Sequence, residues 1–239
     1  MENKNSYEDA QRAETYAKLE YPGTYYLAYR DIPELIKKYV NGKKALDFGC
    51  GTGRSMRFLK KLGLDTIGID ISQEMLTIAK NSDPDGEYIL VKDGDLGHLK
   101  DNSFDLILSA FTFDNISDFN MKIENFKQLR RILKDDGVII SIVSTPDIYI
   151  HEWMSFSTKD YPENNDAVSG DIVKIIITDT DDPRPVEDTV CSDEDYQKIY
   201  NIVNLKQVEK LLPLGKDDEP YDWVNENKIA PWCVYVLGK

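Results

Sequence analysis

The sequence predicts an α/β fold built on a parallel sheet, and two patterns carry the prediction. From residue 41 onward, short apolar runs alternate with segments whose apolar residues recur every three or four positions. That is the strand–helix rhythm of a sheet with helices on both faces. The apolar runs are also nearly continuous, as strands buried on both sides require.

Lys44–Phe48 is a first short strand running into Gly49-Cys50-Gly51-Thr52-Gly53. A helix follows, with Met56, Leu59 and Leu62 on one face and Gly63 as its stop. Thr66–Ile71 reads as a second strand. Ser72 caps the next helix, Glu74 sits in its positive first turn, and Met75, Leu76 and Ala79 supply its buried side. Tyr88–Val91 and Phe104–Ala110 are the third and fourth strands. Ile123, Phe126, Leu129, Ile132 and Leu133 mark a helix that ends before Gly137, and Val138–Val143 is the fifth strand.

The rhythm changes after Ser144. Residues 151–190 hold turn formers, acids and one β-like run, Ile172–Thr178, which reads as an insertion that does not extend the parallel sheet. Residues 192–203 read as a helix capped by Ser192 with three acids in its first turn. Leu205–Leu211 and Trp232–Leu237 are the last two strands, the latter rich in β formers. The segment before residue 41 is helical in pattern and carries seven of the 14 tyrosines.

Composition narrows the function classes. Hydrophobic residues make up 41% and charged residues 30%, with a formal charge of −14, which suits a globular chain with a real core. Residues 151–239 carry nine basic and 19 acidic side chains, a balance that repels polyphosphates. Nucleic acid and anionic membrane are therefore not expected partners. Three scattered cysteines, Cys50, Cys191 and Cys233, form neither a disulfide framework nor a zinc-ligand spacing, so no metal is expected. The polar first residues lack the pattern of a signal peptide, and the longest apolar stretch is too short to span a bilayer; a cytoplasmic location is the expectation.

The chemistry is concentrated at the first strand–turn–helix junction. Glycines after a first parallel strand let the backbone turn sharply and come within contact distance of a ligand, and an acid ending the second strand, here Asp70, accepts from the hydroxyls of a ribose. The spacing is G-x-G-x-G (49, 51, 53), with Arg54 where a dinucleotide fingerprint places its last glycine. Asp47 beside the turn suits a ligand bearing an ammonium group better than one bearing a diphosphate.

These residues resemble motif I of the class I S-adenosylmethionine-dependent methyltransferases, and three further segments follow in the family's order. Gly68-Ile69-Asp70-Ile71-Ser72 with Met75 and Leu76 is similar to the ribose segment. Gly94-Asp95-Leu96 and Asn102–Ile107 resemble the adenine segment and fourth strand, and Leu129–Gly137 resembles the turn into strand five. The resemblance implies a Rossmann-like, seven-stranded, mostly parallel sheet with an antiparallel last strand. It implies one methyltransferase domain over residues 1–239: a helical N-terminal cap at 1–40, a cofactor-binding core at 41–150, a substrate-covering insertion at 151–190 and completion of the sheet at 191–239. It also implies S-adenosyl-L-methionine as cofactor, with S-adenosyl-L-homocysteine as product.

By position, the resemblance puts Gly49, Cys50, Gly51 and Gly53 along the methionine part of that cofactor and Asp47 near its amino group. Asp70 holds the ribose, Ile71 and Met75 pack on the adenine, and Gly94, Asp95 and Leu96 meet its amino edge. Ser109, Ala110 and Phe111 floor the site near the sulfonium.

Methyl transfer by in-line displacement draws on alignment, and a base is needed only when the acceptor must shed a proton. His151, shortly after strand five, is the candidate base, with a surface-loop histidine as the alternative reading. Glu152, Trp153 and Phe156 are candidates to shape the acceptor pocket. Among the N-terminal tyrosines (Tyr16, Tyr21, Tyr25, Tyr26 and Tyr29), Tyr25 is expected to favour the sulfonium by cation–π attraction, and Arg30 to pair with the methionine carboxylate.

The absence of amino-directed nucleic-acid and cytosine-C5 methyltransferase motifs, with the charge, favours a small-molecule acceptor methylated on N or O. A cofactor-binding regulatory protein without turnover and, against the glycine spacing, an NAD(P)-dependent oxidoreductase are the competing readings.

Overall fold

The computed structural model describes residues 10–17, 19, 21, 23–92 and 95–239. Three helices, α1 (Ala10–Ala17), α2 (Thr24–Arg30) and α3 (Ile32–Tyr39), precede the first strand. There follow β1 (Lys44–Phe48), α4 (Arg54–Lys61), β2 (Asp65–Asp70), α5 (Gln73–Ser82), β3 (Glu87–Leu90), β4 (Phe104–Ala110), α6 (Phe119–Ile132) and β5 (Leu133–Ser144). Then come β6 (Phe156–Ser157), β7 (Ile172–Ile177), β8 (Val186–Thr189), α7 (Asp193–Ile202), β9 (Lys206–Leu211) and β10 (Trp232–Gly238).

The main sheet has seven strands in the order β3-β2-β1-β4-β5-β10-β9. β1 to β5 pair in parallel, whereas β10 runs antiparallel to both β5 and β9. The expected Rossmann-like sheet with one reversed strand is therefore present. The order reverses between β2-β1 and β4, which opens a crevice outside the carboxyl ends of those strands.

Period-two alternation divides the core. Leu106 and Leu108 of β4, Ile140 and Ile142 of β5, and Val234 and Val236 of β10 join one buried cluster with α2, α3 and the insertion. Ile107, Ile139, Val143, Cys233 and Tyr235 point the other way, into a cluster with α6 and α7. A strand sandwiched in this way has no solvent face, hence the unbroken apolar runs.

Caps fall where the sequence places them. Ser72 Oγ accepts from the Met75 amide at 3.2 Å, and Ser192 Oγ from the Asp195 amide at 3.2 Å. β5 begins five residues earlier than the apolar run implies. Its start pairs Leu133 with Phe104, and the register slips before Val138 meets Leu106. A side chain at Gly137 would sit 3.0 Å from the Asp105 and Phe104 carbonyls, so glycine is what permits this irregular crossing.

The insertion forms its own antiparallel sheet, β6-β7-β8. Val173, Ile175 and Ile177 face inward from β7 onto the cluster that holds α2 and α3. Of its three strands only β7 is legible in the sequence; β6 and β8 are two and four residues long and lack an apolar run.

A single buried acid ties the N-terminal helices to the rest. Glu226 is fully buried; its Oε1 accepts from the Thr24 hydroxyl at 2.6 Å and the Met154 amide at 2.8 Å. Its Oε2 accepts from the Val224 and Asn225 amides. Thr24 in turn exchanges hydrogen bonds with Ser155, and its carbonyl accepts from the Trp232 indole at 2.8 Å. One carboxylate thus joins α2, the insertion and the loop before β10. Glu226→Ala leaves several donors without an acceptor at about 1–3 kcal/mol each. The expected loss is about 3 kcal/mol or more, a fall in Tm of about 6–12 °C for a chain of this size, measurable by thermal unfolding.

Candidate functional site

The carboxyl ends of β1 and β2 are tied together through backbone. The Gly49 and Cys50 amides both donate to the Ile69 carbonyl at 2.9 Å. The Gly51 amide then donates to Asp70 Oδ2 at 2.8 Å, and the Ser72 amide donates to Asp70 Oδ1 at 2.8 Å. Burial raises the Asp70 pKa, and these amides, with that of Ile71, work against the rise. Each carboxylate oxygen keeps a lone pair free for a further donor.

Left-handed backbone makes the turn. Gly49, Gly51 and Gly53 have φ of 73°, 52° and 81°, a region that costs other residues about 1–2 kcal/mol. A side chain at Gly49 would run into Thr112, whose hydroxyl donates to the Phe48 carbonyl at 2.8 Å, and one at Gly53 into Tyr88. At Gly51 a Cβ would meet nothing within 4 Å. Bare backbone at that position borders open space.

Asp47 lies beneath the turn and is fully buried. Ser55 Oγ donates to its Oδ2 at 2.6 Å, whereas Oδ1 has no hydrogen-bond partner. Burial pushes its pKa up to about 7, against the Ser55 hydrogen bond. A buried oxygen without a donor, beside an open glycine, fits a ligand that brings a cation or an N–H group. Both features suit the amino-acid end of S-adenosylmethionine, and Asp70 suits its ribose.

Other expected residues divide by what they expose. Met75 is buried in the first turn of α5, and Ile71 is half exposed beside it. Asp95 is exposed, its Oδ1 accepting from the Gly97 amide at 2.8 Å; Leu96 is fully buried, and Gly94 lies outside the described residues. The Cys50 side chain packs with Met56, Leu76, Ala79 and Tyr88, which leaves the site only its backbone.

Ser109 is fully buried within β4 opposite Ser141, and its hydroxyl has no hydrogen-bond partner. Ala110 and Phe111, at the strand end, carry the partly exposed surface. Phe111 has φ 64°, an outlier for a bulky residue that the surrounding packing must hold in place.

Arg30 is placed away from the glycine turn's aromatic contact, among partners of its own. It donates to both Asp31 oxygens and, through one nitrogen, to the Leu214 carbonyl and Glu219. Its guanidinium is consumed in joining α2 to the loop before β10. Arg54 is the cation that meets the tyrosines. Its guanidinium carbon lies 4.8 Å from the Tyr25 ring and 5.7 Å from those of Tyr21 and Tyr29, and the Tyr21 hydroxyl donates to its carbonyl at 2.8 Å. The tyrosine density visible in the sequence therefore serves the residue that follows the glycine turn, the first of α4.

Beyond Phe111 lies a small cleft of about 40 Å³ between the ends of β4 and β5 and the inner face of the insertion sheet. Tyr25, Phe111, Phe156 and Trp232 wall one part, and their rings stand 4.7–6.0 Å apart. Asp114, Ser144, Tyr149 and Asp188 line another. His151 is not among the lining residues; its ring stands edge-on to that of Trp153 at 6.2 Å. Trp153 donates to the Ile148 carbonyl, and Glu152 accepts from Ser157 and Thr158 within its own loop. Of the three expected pocket shapers, Phe156 alone reaches the cleft.

Sequence reasoning missed Asp114 and Asp188. Asp114 follows β4 by four residues, and Asp188 occupies an inward position of β8 within an acidic tract that reads as solvated. Among the described residues no group of histidines, cysteines and acids is arranged to hold a metal, and no helix is long and apolar enough to cross a membrane.

Residues 46–141 match the family model described as a methyltransferase domain. A demethylmenaquinone methyltransferase of Thermotoga maritima is 35% identical over 140 residues, which are 52% of this chain and 58% of that protein. An uncharacterized protein of Methanocaldococcus jannaschii, MJ1252, is 34% identical over 122 residues, 51% of this chain and 44% of that one. The chain thus spans about half the length of these relatives.

Among solved structures, the CcbJ methyltransferase of Streptomyces caelestis superposes with a TM-score of 0.67 over 100% of this chain and 99% of its own, at 16% identity. An S-adenosylmethionine-dependent methyltransferase of Clostridium acetobutylicum gives 0.62 over 93% of each chain at 17% identity. At these identities the likeness shows the fold, and the sequence match shows that residues 46–141 are similar to a methyltransferase domain.

Proposed function

We propose that this chain transfers a methyl group from S-adenosylmethionine to a nitrogen or oxygen of a small-molecule acceptor. The observation that carries the reading is the bridge from Gly51 through Asp70 to Ser72, set beside the unpartnered Asp47 oxygen. When bound, the cofactor supplies an electrophilic methyl on a positively charged sulfur.

The chain's own contributions are positional and electrostatic. Asp70, held by two amides, accepts from the ribose hydroxyls. Asp47 Oδ1 faces the cofactor's ammonium, and the Gly51 backbone allows close approach. Ile71 and Met75 flank the adenine, and Tyr25 and Phe111 border the step from the cofactor to the cleft. Closing the cleft with aromatic side chains excludes water and fixes alignment, a source of about 7–11 kcal/mol in well-oriented reactions. Two relatives are named demethylmenaquinone methyltransferase, which supports a small-molecule acceptor here.

Titration calorimetry with S-adenosylhomocysteine tests the reading. Saturable one-to-one binding is expected, and no detectable binding would reject it. Asp70→Ala is expected to weaken that binding at least tenfold, since a hydrogen bond to a charged group is worth about 1.5–3 kcal/mol.

Asp47 generates a second test. Its folded-state pKa lies above the ordinary carboxylate value, so the ligand-free chain holds a proton there that the unfolded chain has lost. The stability this contributes is present below the ordinary value and lost as the pH rises through about 7. An ammonium beside Oδ1 favours the carboxylate instead. Binding of S-adenosylmethionine at a pH of about 6.5 is therefore expected to expel up to about one proton. Calorimetry in buffers of different ionisation enthalpy reads that proton. Its release should decline as the pH passes the Asp47 pKa and vanish in Asp47→Asn.

A further inference from the structure

Phe111 occupies a backbone conformation that its side chain makes costly. Its φ of 64° is left-handed, a region that glycine and asparagine enter more readily than a bulky residue. Three hydrogen bonds hold the corner. The Phe111 amide donates to the Ile142 carbonyl at 2.8 Å, and the Asn115 side-chain amide donates to the Phe111 carbonyl at 3.1 Å. The Thr112 hydroxyl donates to the Phe48 carbonyl at 2.8 Å. Backbone strain that its surroundings over-determine concentrates at ligand sites.

The corner gives the ring a particular place. Phe111 is the first residue past the carboxyl end of β4, which lies next to β1 in the sheet, and Thr112 lies against Gly49 of the glycine turn. The Phe111 ring packs on those of Trp232 at 4.7 Å, Tyr25 at 5.9 Å and Tyr29 at 6.4 Å, yet the residue keeps part of its surface open. Tyr25, the ring expected to meet the sulfonium, is only 3% exposed. Arg54 lies 4.8 Å from its centroid, and Trp232 stacks on it at 6.0 Å. Tyr29, Phe156 and Trp232 are buried as well. Phe111 is therefore the member of this aromatic group with surface left to offer a ligand.

We infer that Phe111 presents its ring to the sulfonium and favours the charged cofactor over the neutral thioether left after transfer, with Asn115 as the residue that positions it. This rests on the methyl-transfer reading and adds to it a residue that separates substrate cofactor from product. The sulfur joins the part of the cofactor suited to Asp47 and Gly51 to the part suited to Asp70, and β4 ends beside those residues of β1 and its turn. A ring face attracts a cation through its quadrupole and offers a neutral thioether less. Loss of the charge on transfer then loosens the product's hold at this point.

An isotope-labelled methyl group on S-adenosylmethionine, bound to the full chain, reads the contact by NMR without any acceptor. Its resonance is expected upfield of the free position, displaced by the ring current, and closer to that position in Phe111→Leu. Calorimetry reads the preference. Phe111→Leu is expected to weaken S-adenosylmethionine binding about threefold or more while leaving S-adenosylhomocysteine within about twofold. Phe111→Tyr, which keeps a ring, is expected to retain the affinity ratio of the unaltered chain. Asn115→Ala is expected to move that ratio in the same direction as Phe111→Leu.

An undisplaced methyl resonance in the unaltered chain, an unchanged ratio in Phe111→Leu, or an equal loss for both ligands overturns the inference. An unchanged ratio in Asn115→Ala overturns the positioning role of Asn115. The methyltransferase reading survives each of these as long as S-adenosylhomocysteine binds, and its failure to bind overturns both. The resonance in the unaltered chain decides the matter even if no variant folds.

Discussion

The 2.8 Å hydrogen bond from the Gly51 amide to Asp70 is the constraint on which the rest of the site depends. It joins the turn after β1 to the end of β2 and fixes where bare backbone and carboxylate stand relative to each other. The bond needs Gly51 in a left-handed conformation, which turns the amide toward β2 and keeps the outer side of the turn open. It also needs a short, buried parallel pair, β1 with β2, to bring the two strand ends into register. Remove either and Asp70 is an ordinary acid at a strand end.

Around that junction the molecule is closed from two sides. The N-terminal helices present a tyrosine wall to Arg54, the first residue of α4, so the cap and the glycine turn share one aromatic contact. The insertion sheet covers the other side with Phe156 and the inner face of β7, packed into the same core as α2 and α3. Glu226 is where these parts meet, satisfying donors from the cap, the insertion and its own loop at once. A buried carboxylate is tolerated there because each oxygen accepts at least two hydrogen bonds.

The acidic excess visible in the composition is spent unevenly. Much of it lies on the surface in short ion pairs such as Lys198–Asp195 and Lys60–Asp83, worth little individually. Asp47, Asp114 and Asp188 instead sit inside, where burial raises their pKa values. Buried carboxylates held against their ordinary ionisation are a common mark of a site that meets a ligand. All three lie at or beyond the carboxyl ends of β1 and β4 or on the sheet that covers them.

The sequence by itself determined the sheet, because parallel strands buried on both faces must be continuously apolar, and that pattern survives in one dimension. It determined the glycine turn and Asp70 for a similar local reason: left-handed backbone at a strand end admits few residues, and the acid follows at a spacing set by one β-α-β unit. Tertiary structure decided what depends on partners distant in the chain. Arg30 and Arg54 look equally available beside the tyrosines, and only packing shows Arg30 taken by Glu219, 189 residues away, leaving Arg54 to the rings. Ser109 and Phe111 lie two residues apart, yet Ser109 is sealed between β4's neighbours while Phe111, just past the strand end in left-handed backbone, keeps part of its surface. The cleft and its acids were invisible along the chain because β6 and β8 are too short to leave a period. An acid that faces inward reads, in sequence, the same as one that faces water.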